Sequence, residues 1–135
     1  HYNVFISMKK MSEGDPARAA AAALTFDHTK NVFVFDDDID VFNPTDILWA
    51  IATRVQPHLQ VNILKPLFRG NFLDPSLRDE IKTSGMIVDA TKPTDRPFSP
   101  VSKCPDEAMA RIKLEDYVPG EVLQHIPMDR TTYWA

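Results

Sequence analysis

Apolar and polar residues alternate in blocks along the first half of the chain and predict the order strand, helix, strand, helix, strand. Residues 2–8 are β-prone and precede Ser12-Glu13-Gly14, a sequence typical of a turn. Asp15 is expected to cap the first helix, Pro16 to be its first residue, and Phe26 to lie near its end. The stripe expected to face the sheet follows the i, i+3, i+4, i+7 spacing and consists of Ala17, Ala20, Ala21 and Leu24.

The second predicted strand, residues 31–35, is apolar on both faces, as is typical of a central parallel strand that is covered on both sides. An acidic stretch follows it directly, and a second helix is predicted after that. We expect Asn43 to be the N-cap, Pro44 to be the first helical residue, and Asp46 to reach back toward the cap. Gln56-Pro57 is expected to end the helix. Its predicted buried face consists of Leu48, Ile51, Ala52 and Val55.

The pattern becomes less regular after the second helix. Residues 59–64 alternate between apolar and polar, which predicts a half-exposed strand near an edge of the sheet. The apolar side of this strand is expected to consist of Leu59, Val61 and Ile63. Prolines and a glycine predict a long connection over residues 65–84, with one helical turn at 77–81. A short apolar strand is then expected at residues 86–88.

Strands that alternate with helices predict an α/β fold, in which parallel strands are joined by right-handed crossovers. We therefore expect a single domain over residues 1–135 with an open, mainly parallel sheet and flanking helices, of the Rossmann-like βαβαβ type. Prolines predict an extended arm over residues 92–103, because each proline removes a backbone donor. Short helices are expected at residues 105–112 and 121–126.

Composition narrows the possible classes of protein. The chain has 135 residues and a formal net charge of −4, and its Lys and Arg residues are scattered, so nucleic-acid binding is not expected. No apolar run approaches the roughly 20 residues that cross a bilayer, so no membrane span is expected. The single cysteine, Cys104, excludes an internal disulfide and is typical of a protein of the reducing cytoplasm. It has no local histidine partner and is not expected to be a catalytic thiol.

Two loops follow predicted parallel strands, the acidic stretch at 36–40 and the loop at 89–92. Ligands usually bind where the carboxyl ends of such strands meet. The acidic stretch allows two interpretations. In the first, its aspartates bind backbone N–H groups of the turn and of the following helix. In the second, Asp36, Asp38 and Asp40 hold Mg²⁺ or Mn²⁺, because an apolar strand that ends in Asp-x-Asp resembles the metal site of nucleotide-sugar glycosyltransferases.

Three segments, in this order, resemble one known family. They are residues 32–41, Val-Phe-Val-Phe-Asp-Asp-Asp-Ile-Asp-Val, residues 46–54, Asp-Ile-Leu-Trp-Ala-Ile-Ala-Thr-Arg, and residues 85–91, Gly-Met-Ile-Val-Asp-Ala-Thr. Together with the opening β-prone segment and the Ala-rich helix, they are similar to the carboxy-terminal domain of the UbiD family. Members of this family are reversible decarboxylases of aromatic and α,β-unsaturated acids that use a prenylated flavin.

The resemblance implies that this chain is the carboxy-terminal domain of a larger enzyme whose flavin-binding domains precede it. Prenylated FMN, Mn²⁺, K⁺ and the catalytic Glu-Arg-Glu/Asp set are then expected in those domains. We accordingly predict no catalytic, cofactor-binding or metal-binding residue in this chain, which is expected to be inactive by itself. The domain is expected to close over the substrate side of the flavin, to exclude water and to contribute to homo-oligomer contacts.

The expected substrate-facing loop consists of Asp89, Ala90, Thr91, Lys92 and Pro93. The chain departs from the family at one nearby position, since many members have a lysine four residues before the aspartate of the Asp-Ala-Thr motif. This chain has Gly85 there, and Lys82 is the nearest cation. We therefore do not expect this segment to make the charged active-site contact that the lysine would make in those members.

Two other functions stay open at this point. One is a fragment of a metal-dependent nucleotide-sugar glycosyltransferase that uses Asp36 and Asp38. Against it, that fold normally has several strands ahead of the acidic turn, whereas one strand and one helix precede it here. The other is a non-catalytic domain used mainly for assembly.

Overall fold

The computed structural model describes residues 2–26, 28–69, 73–77, 82–102 and 104–124. The chain divides into two compact units, His1–Pro97 and Phe98–Ala135. The first unit contains β1 (Asn3–Met8), α1 (Asp15–Ala23), β2 (Asn31–Asp36), α2 (Pro44–Arg54), α3 (Pro57–Gln60), β3 (Val61–Arg69) and β4 (Lys82–Ala90). The second contains α4 (Asp106–Arg111), the 3₁₀ turn Leu114–Asp116 and α5 (Gly120–Leu123). None of the described helices is long and apolar enough to span a membrane.

The strands of the first unit form one open sheet in the spatial order β1, β2, β4, β3. β1 is parallel to β2 and β2 is parallel to β4, whereas β3 lies at the edge and pairs antiparallel with β4. The predicted open, mainly parallel α/β sheet is therefore confirmed, as are the interior position of β2 and the edge position of β3. Of the apolar side predicted for β3, Val61 packs on the core, whereas Ile63 is exposed and Leu59 is an exposed residue of α3.

The connection between β3 and β4 differs from the prediction. Both strands extend into the connection predicted over residues 65–84 and pair with each other there. Pro66 lies between Leu64 and Phe68, where the register of the two strands shifts. An edge strand tolerates proline at such an irregularity, because proline cannot donate to a regular ladder. The helical turn predicted at 77–81 falls mostly outside the described residues.

β2 is covered on both faces, as its apolar pattern predicts. Val32 and Val34 face α1, whereas Phe33 and Phe35 face α2. The buried cluster on the α1 side consists of Ala20, Leu24, Val32, Val34 and Ile87. The buried cluster on the α2 side consists of Phe35, Ile39, Ala50, Val55, Val88 and Ala90. Because β2 contributes fully buried side chains to both clusters, it joins the two helical layers.

The start of α1 differs from the prediction by one residue. Asp15 is the first helical residue rather than the cap, and Gly14 occupies the N-cap position. The Asp15 carboxylate accepts hydrogen bonds from Met11 N at 3.0 Å and Ser12 N at 2.8 Å. Asp15 therefore stabilises the turn before the helix through these two backbone N–H groups.

The buried stripe of α1 shifts with its start. Ala17 and Ala21 are exposed, contrary to the prediction, and the helix ends at Ala23 rather than near Phe26. The buried side chains of this helix and its C-cap are Pro16, Ala20 and Leu24. The i, i+4, i+8 spacing of these residues keeps them on one helical face.

α2 is rotated relative to the prediction. Leu48 is 67% exposed and Ala52 is exposed, so only Ile51 and Val55 of the predicted face contribute to the core. The observed stripe has the same spacing but begins one residue earlier, and it consists of Ile47, Ala50, Ile51 and Arg54. The buried arginine in this stripe sets the rotation, because its guanidinium binds the acidic stretch under the helix.

Asn43 caps α2 as predicted. Its Oδ1 accepts a hydrogen bond from Thr45 N at 3.0 Å, and the Asp46 carboxylate accepts one from Asn43 Nδ2 at 3.3 Å. Replacing Asn43 by Ala is expected to lower the free energy of unfolding by about 1 kcal/mol, because Thr45 N–H loses this acceptor. Urea denaturation measures the change, with Asn43→Ser as a control that keeps an acceptor. Equal losses in the two variants would contradict the capping role.

The second unit agrees with the short helices expected from the sequence. α4 confirms the helix predicted at 105–112. α5 confirms the beginning of the helix predicted at 121–126, although residues 125 and 126 lie outside the described residues. Residues 91–102 lie in neither a helix nor a strand.

Candidate functional site at the carboxyl edge of the sheet

Three loops meet at one edge of the sheet, because β1, β2 and β4 are parallel and their carboxyl ends lie side by side. These carboxyl-edge loops are residues 9–14 after β1, residues 37–43 after β2 and residues 91–94 after β4. Lys92 N donates a hydrogen bond to Asp36 Oδ2 at 2.8 Å. The acidic stretch and the loop after β4 therefore lie together, as their positions after parallel strands predict.

Arg54 binds two aspartates of the acidic stretch. Its Nη1 donates to Asp36 Oδ2 at 3.0 Å and to Asp38 Oδ1 at 2.9 Å, and its Nη2 donates to Asp38 Oδ2 at 2.9 Å. The Arg54 side chain is only 1% exposed, and its Cζ lies 5.3 Å from the centre of the Trp49 ring. Arginine can form two parallel hydrogen bonds to one carboxylate, which lysine cannot. Arg54 therefore joins α2 to the end of β2 through a buried ionic contact.

The pKa values of the two aspartates shift in opposite directions. Hydrogen bonds from Arg54 lower the pKa of Asp38 from 3.8 to about 2. Burial raises the pKa of Asp36, against the opposing effects of the Lys92 amide and the positive charge of Arg54. Lys92 Nζ lies 2.9 Å from Asp38 Oδ2, so two carboxylates face two cations. The cluster is therefore balanced in charge when both aspartates are ionised.

Each backbone N–H of the loop 91–94 donates to a carboxylate side chain. The pairs are Thr91 N with Asp89 Oδ1 at 3.0 Å, Lys92 N with Asp36 Oδ2 at 2.8 Å, and Thr94 N with Glu13 Oε1 at 2.6 Å. Pro93 has no N–H to satisfy. Because the loop lies outside any strand, these carboxylates replace the partners that a neighbouring strand would supply.

Lys10 connects the loop after β1 to the loop after β4. Its Nζ donates to Glu13 Oε2 at 2.7 Å and to Lys92 O at 3.1 Å, and its side chain is only 4% exposed. The hydrogen bonds from Lys10 and then Thr94 lower the pKa of Glu13 from 4.5 to about 2. Lys92 is therefore held through its backbone N–H by Asp36 at the end of β2, and through its carbonyl oxygen and its ammonium group by side chains of two other loops.

The predicted substrate-facing loop is only partly accessible. Thr91 is buried and its Oγ1 donates to Asp89 Oδ1 at 2.6 Å, and Ala90 is fully buried. Asp89, Lys92 and Pro93 are half-buried. A ligand at this edge would therefore meet Lys92 and Pro93 rather than the Thr91 hydroxyl.

The aspartates proposed as metal ligands bind protein groups instead. Asp36 and Asp38 face Arg54 and Lys92, and Asp40 Oδ1 accepts a hydrogen bond from Phe42 N at 2.9 Å. Among the described residues, no three His, Cys, Asp or Glu side chains are placed to hold a metal ion. Asp40 agrees with the interpretation that these carboxylates bind backbone N–H groups of the turn and of the following helix. Asp36 also accepts a backbone N–H, but that of Lys92 in the loop after β4. Asp38 departs from this interpretation, because its partners are side-chain cations.

Four residues of this edge are not predicted as site residues from the sequence, namely Arg54, Lys10, Glu13 and Thr94. A signal for Arg54 is present, because four aspartates directly after a buried strand need a cation and Arg54 is the basic residue of α2. It also lies seven positions after Ile47, on the same helical face. The contact between Glu13 and Thr94 has no local signal, because the two residues are 81 positions apart.

The charged groups of this edge do not fit a cofactor or metal site of their own. A flavin phosphate needs cations and a divalent metal needs carboxylates that are not already paired. Lys10, Arg54 and Lys92 each bind a carboxylate within 3.0 Å. We therefore assign no step to a cofactor held by the described residues of this chain.

Acid is expected to destabilise this edge. Glu13 and Asp38 both have pKa values lowered to about 2, so their stabilising contribution is complete above about pH 4.5 and is lost as the pH falls toward 2. The raised pKa of Asp36 has the opposite sign and offsets part of this loss. We expect the melting temperature to fall between pH 4.5 and 2, and to fall less in Asp38→Asn. A melting temperature that is constant over this range would contradict the ionic contacts.

Comparison with known proteins identifies the family. The model of the 3-octaprenyl-4-hydroxybenzoate carboxy-lyase C-terminal domain matches residues 1–90. The anhydromevalonate phosphate decarboxylase of Aeropyrum pernix is 44% identical over 91 residues, which cover 67% of this chain and 20% of that protein. The phenolic acid decarboxylase of Sedimentibacter hydroxybenzoicus is 36% identical over 94 residues, which cover 67% of this chain and 19% of that protein. The chain thus spans about a fifth of the length of the curated relatives it matches.

Solved structures agree with this result. The UbiD-class enzyme HmfF from Pelotomaculum thermopropionicum, in complex with FMN, matches 87% of this chain and 26% of its own with a TM-score of 0.70 and 40% identity. The closed form of the vanillic acid decarboxylase from S. hydroxybenzoicus matches 85% of this chain and 26% of its own with a TM-score of 0.69 and 29% identity. The chain belongs to the UbiD family of decarboxylases, and the part of the family that it matches is the carboxy-terminal domain.

Proposed function

We propose that this chain is the carboxy-terminal domain of a reversible decarboxylase that acts on aromatic or α,β-unsaturated acids with prenylated FMN. The observation that carries the proposal is the match of residues 1–90 to the carboxy-terminal domain of a carboxy-lyase family. Relatives named as decarboxylases of anhydromevalonate phosphate, phenolic acids and gallate support the reaction type. Structural neighbours in complex with FMN and with prenylated FMN support the cofactor.

The proposed role of this domain is to cover the substrate during the reaction. The flavin, which stores the electrons released when CO₂ leaves, is held with Mn²⁺ and K⁺ by the domains that precede this one. The end of β4 and the loop after it, residues 89–93, face the substrate mainly through Lys92 and Pro93, and closure of the domain excludes water from the reacting acid. The vanillic acid decarboxylase neighbour is known in a closed form and an open form, which supports a closing movement in this protein also.

The proposed partners follow from the same role. They are the flavin-binding domains, a small aromatic or unsaturated acid, and further copies of the same chain in a homo-oligomer. We place the protein in the cytoplasm, in agreement with its single cysteine. Neither nucleic acid nor a membrane is part of the proposal.

A chimera tests the proposal. The part of the S. hydroxybenzoicus phenolic acid decarboxylase that this chain matches is removed, which gives a shortened enzyme. In the chimera, this chain is fused to the shortened enzyme in place of the removed part. With prenylated FMN, Mn²⁺ and K⁺ supplied, we expect the shortened enzyme to be inactive and the chimera to release CO₂ from phenolic acids. This chain alone is expected to release none. Turnover by this chain alone would contradict the assignment of the catalytic groups to other domains.

The substrate is tested in the full-length enzyme that carries this chain. Anhydromevalonate phosphate, a phenolic acid and gallate are the acids named for the relatives, and each is assayed for loss of CO₂. We expect turnover of at least one conjugated acid. Turnover of none of these or of related conjugated acids would contradict the proposed substrate class.

We do not propose the alternative function, a fragment of a nucleotide-sugar glycosyltransferase. The family match is to a carboxy-lyase, and the Asp36 and Asp38 carboxylates on which that alternative depends bind Arg54 and Lys92. The assembly role is retained as part of the proposed function. Light scattering on the full-length enzyme and on a version without this domain tests it, and an unchanged oligomer size would contradict it.

A further inference from the structure

Two of the contacts that hold the loop 91–94 differ in accessibility. At its inner end, Asp36 accepts the Lys92 N–H and is itself bound by the buried Arg54. At its outer end, Glu13 is 54% exposed on its side chain, yet it accepts hydrogen bonds from both Thr94 N at 2.6 Å and Thr94 Oγ1 at 2.5 Å. The outer contact therefore depends on one carboxylate of a different loop.

Glu13 has the geometry of a clamp because its two oxygens have separate partners. Oε1 accepts both hydrogen bonds from Thr94, whereas Oε2 accepts the hydrogen bond from Lys10. Lys10 also donates to Lys92 O at 3.1 Å, so one ion pair fixes a carbonyl oxygen and a backbone N–H of the same loop. The short distances are those of hydrogen bonds to charged groups, which are stronger than neutral ones.

Backbone restriction by proline makes this clamp more effective. Pro93 lies between the two clamped residues, Lys92 and Thr94, and its ring fixes φ. Thr91 is buried and bonded to Asp89, which fixes the residue before Lys92. The four residues 91–94 are therefore restrained at each position, either by a carboxylate or by the proline ring.

We propose that Glu13, together with Lys10, is a positioning residue that fixes the loop 91–94 in the shape in which it meets the substrate. The proposal rests on the proposed function, in which this loop faces the reacting acid. In this proposal Glu13 acts through its hydrogen bonds to Thr94 and Lys10 and not through contact with the substrate. Its effect on the reaction passes through the position of Lys92 and Pro93.

The first test measures the clamp without reference to activity. Hydrogen exchange, followed by mass spectrometry, is measured on the full-length enzyme for a peptide that contains residues 91–97. Pro93 and Pro97 contribute no amide, so the signal comes from few residues. We expect Glu13→Ala to speed exchange of the Thr94 amide by about 10-fold, the change expected when a hydrogen bond to a charged group is lost. Unchanged exchange in Glu13→Ala would overturn the clamp.

Two further variants separate the contacts of the clamp. Glu13→Gln keeps an acceptor for Thr94 and loses the ion pair with Lys10, so its exchange is expected to lie nearer to that of the unchanged protein. Lys10→Met removes the donor to Lys92 O while Glu13 can still accept from Thr94. If the Thr94 amide exchanges as fast in Glu13→Gln as in Glu13→Ala, the role of the Thr94 hydrogen bonds is contradicted. Glu115→Ala, at an exposed position in the second unit, is the matched control.

The second test uses kinetics of the full-length enzyme. A loop that is wrongly placed binds the acid less well, so we expect Glu13→Ala to raise KM by about 10-fold or more. A merely structural role would reduce the folded fraction, which lowers kcat at an unchanged KM. Faster exchange with an unchanged KM would overturn the positioning role. A wild-type enzyme that does not decarboxylate conjugated acids would instead contradict the proposed function, and the exchange data would still decide on the clamp.

Discussion

Replacing Arg54 by Met is expected to lower the free energy of unfolding by about 3–5 kcal/mol, because Asp36 and Asp38 then lose their buried cation. The Arg54 side chain is almost fully buried and binds both carboxylates within 3.0 Å. Natural domains are stabilised by only about 5–15 kcal/mol, so this loss is a large share of the total. Urea denaturation followed by circular dichroism measures the change.

Two variants control this experiment. Asp37→Asn removes a charge from the same loop at an exposed position, and we expect its free energy of unfolding to change by about 0.5 kcal/mol or less. Arg54→Lys keeps the positive charge but loses the planar group that binds both oxygens of Asp38, so an intermediate loss is expected. A loss below about 1 kcal/mol in Arg54→Met would show that the ionic contact does not stabilise the fold.

Replacing Phe35 by Ala is expected to cost about 3–5 kcal/mol of unfolding free energy, because it leaves a cavity between β2 and α2. Phe35 is 0% exposed and is the largest of the fully buried side chains among the described residues. Phe42→Ala is the matched control, because Phe42 is 92% exposed and its loss is expected to change stability by about 0.5 kcal/mol or less. Similar losses in both variants would contradict the assignment of Phe35 to the core.

The parts of the fold that the sequence predicts well are those with strong local signals. β2 is recognised from an apolar run on both faces, and the start of α2 from Asn43-Pro44, because cap geometry depends on adjacent residues. The identity of the sheet-facing residues in α1 and α2 is predicted less well. A helical stripe can begin at any of several neighbouring positions, and the tertiary contact that selects one of them is not local.

α2 illustrates why the candidate site is harder to predict than the fold. Hydrophobicity places Leu48 inside and Arg54 outside, whereas the structure does the reverse. The aspartates at the end of β2 and after it decide which face of α2 is buried, because their charges need a cation nearby. Their interaction with Arg54 offsets the free energy that burying this cation costs. The acidic stretch and its position after a parallel strand are visible in the sequence, but the partner that neutralises it is found only when α2 and β2 are brought together.

The extension of β3 and β4 into residues 65–84 is not predicted for a different reason. Proline and glycine residues after Leu64 indicate a loop, and an edge strand with an irregular register produces the same pattern. The family motif at residues 85–91 predicts the position of β4 better than the apolar periodicity does. It covers the end of this strand and the beginning of the loop that follows it.

The position of β2 between β1 and β4 has a consequence for how the first unit folds. β1, α1 and β2 form one local substructure from residues that are close in sequence. β3 and β4 form a second substructure through their antiparallel pairing. The pairing of Asn31 with Met86 joins residues about 55 positions apart, so its loop-closure entropy is the largest of the three strand pairings. We therefore expect docking of the hairpin onto β2 to limit the folding rate, with the carboxyl-edge loops brought together only after that step.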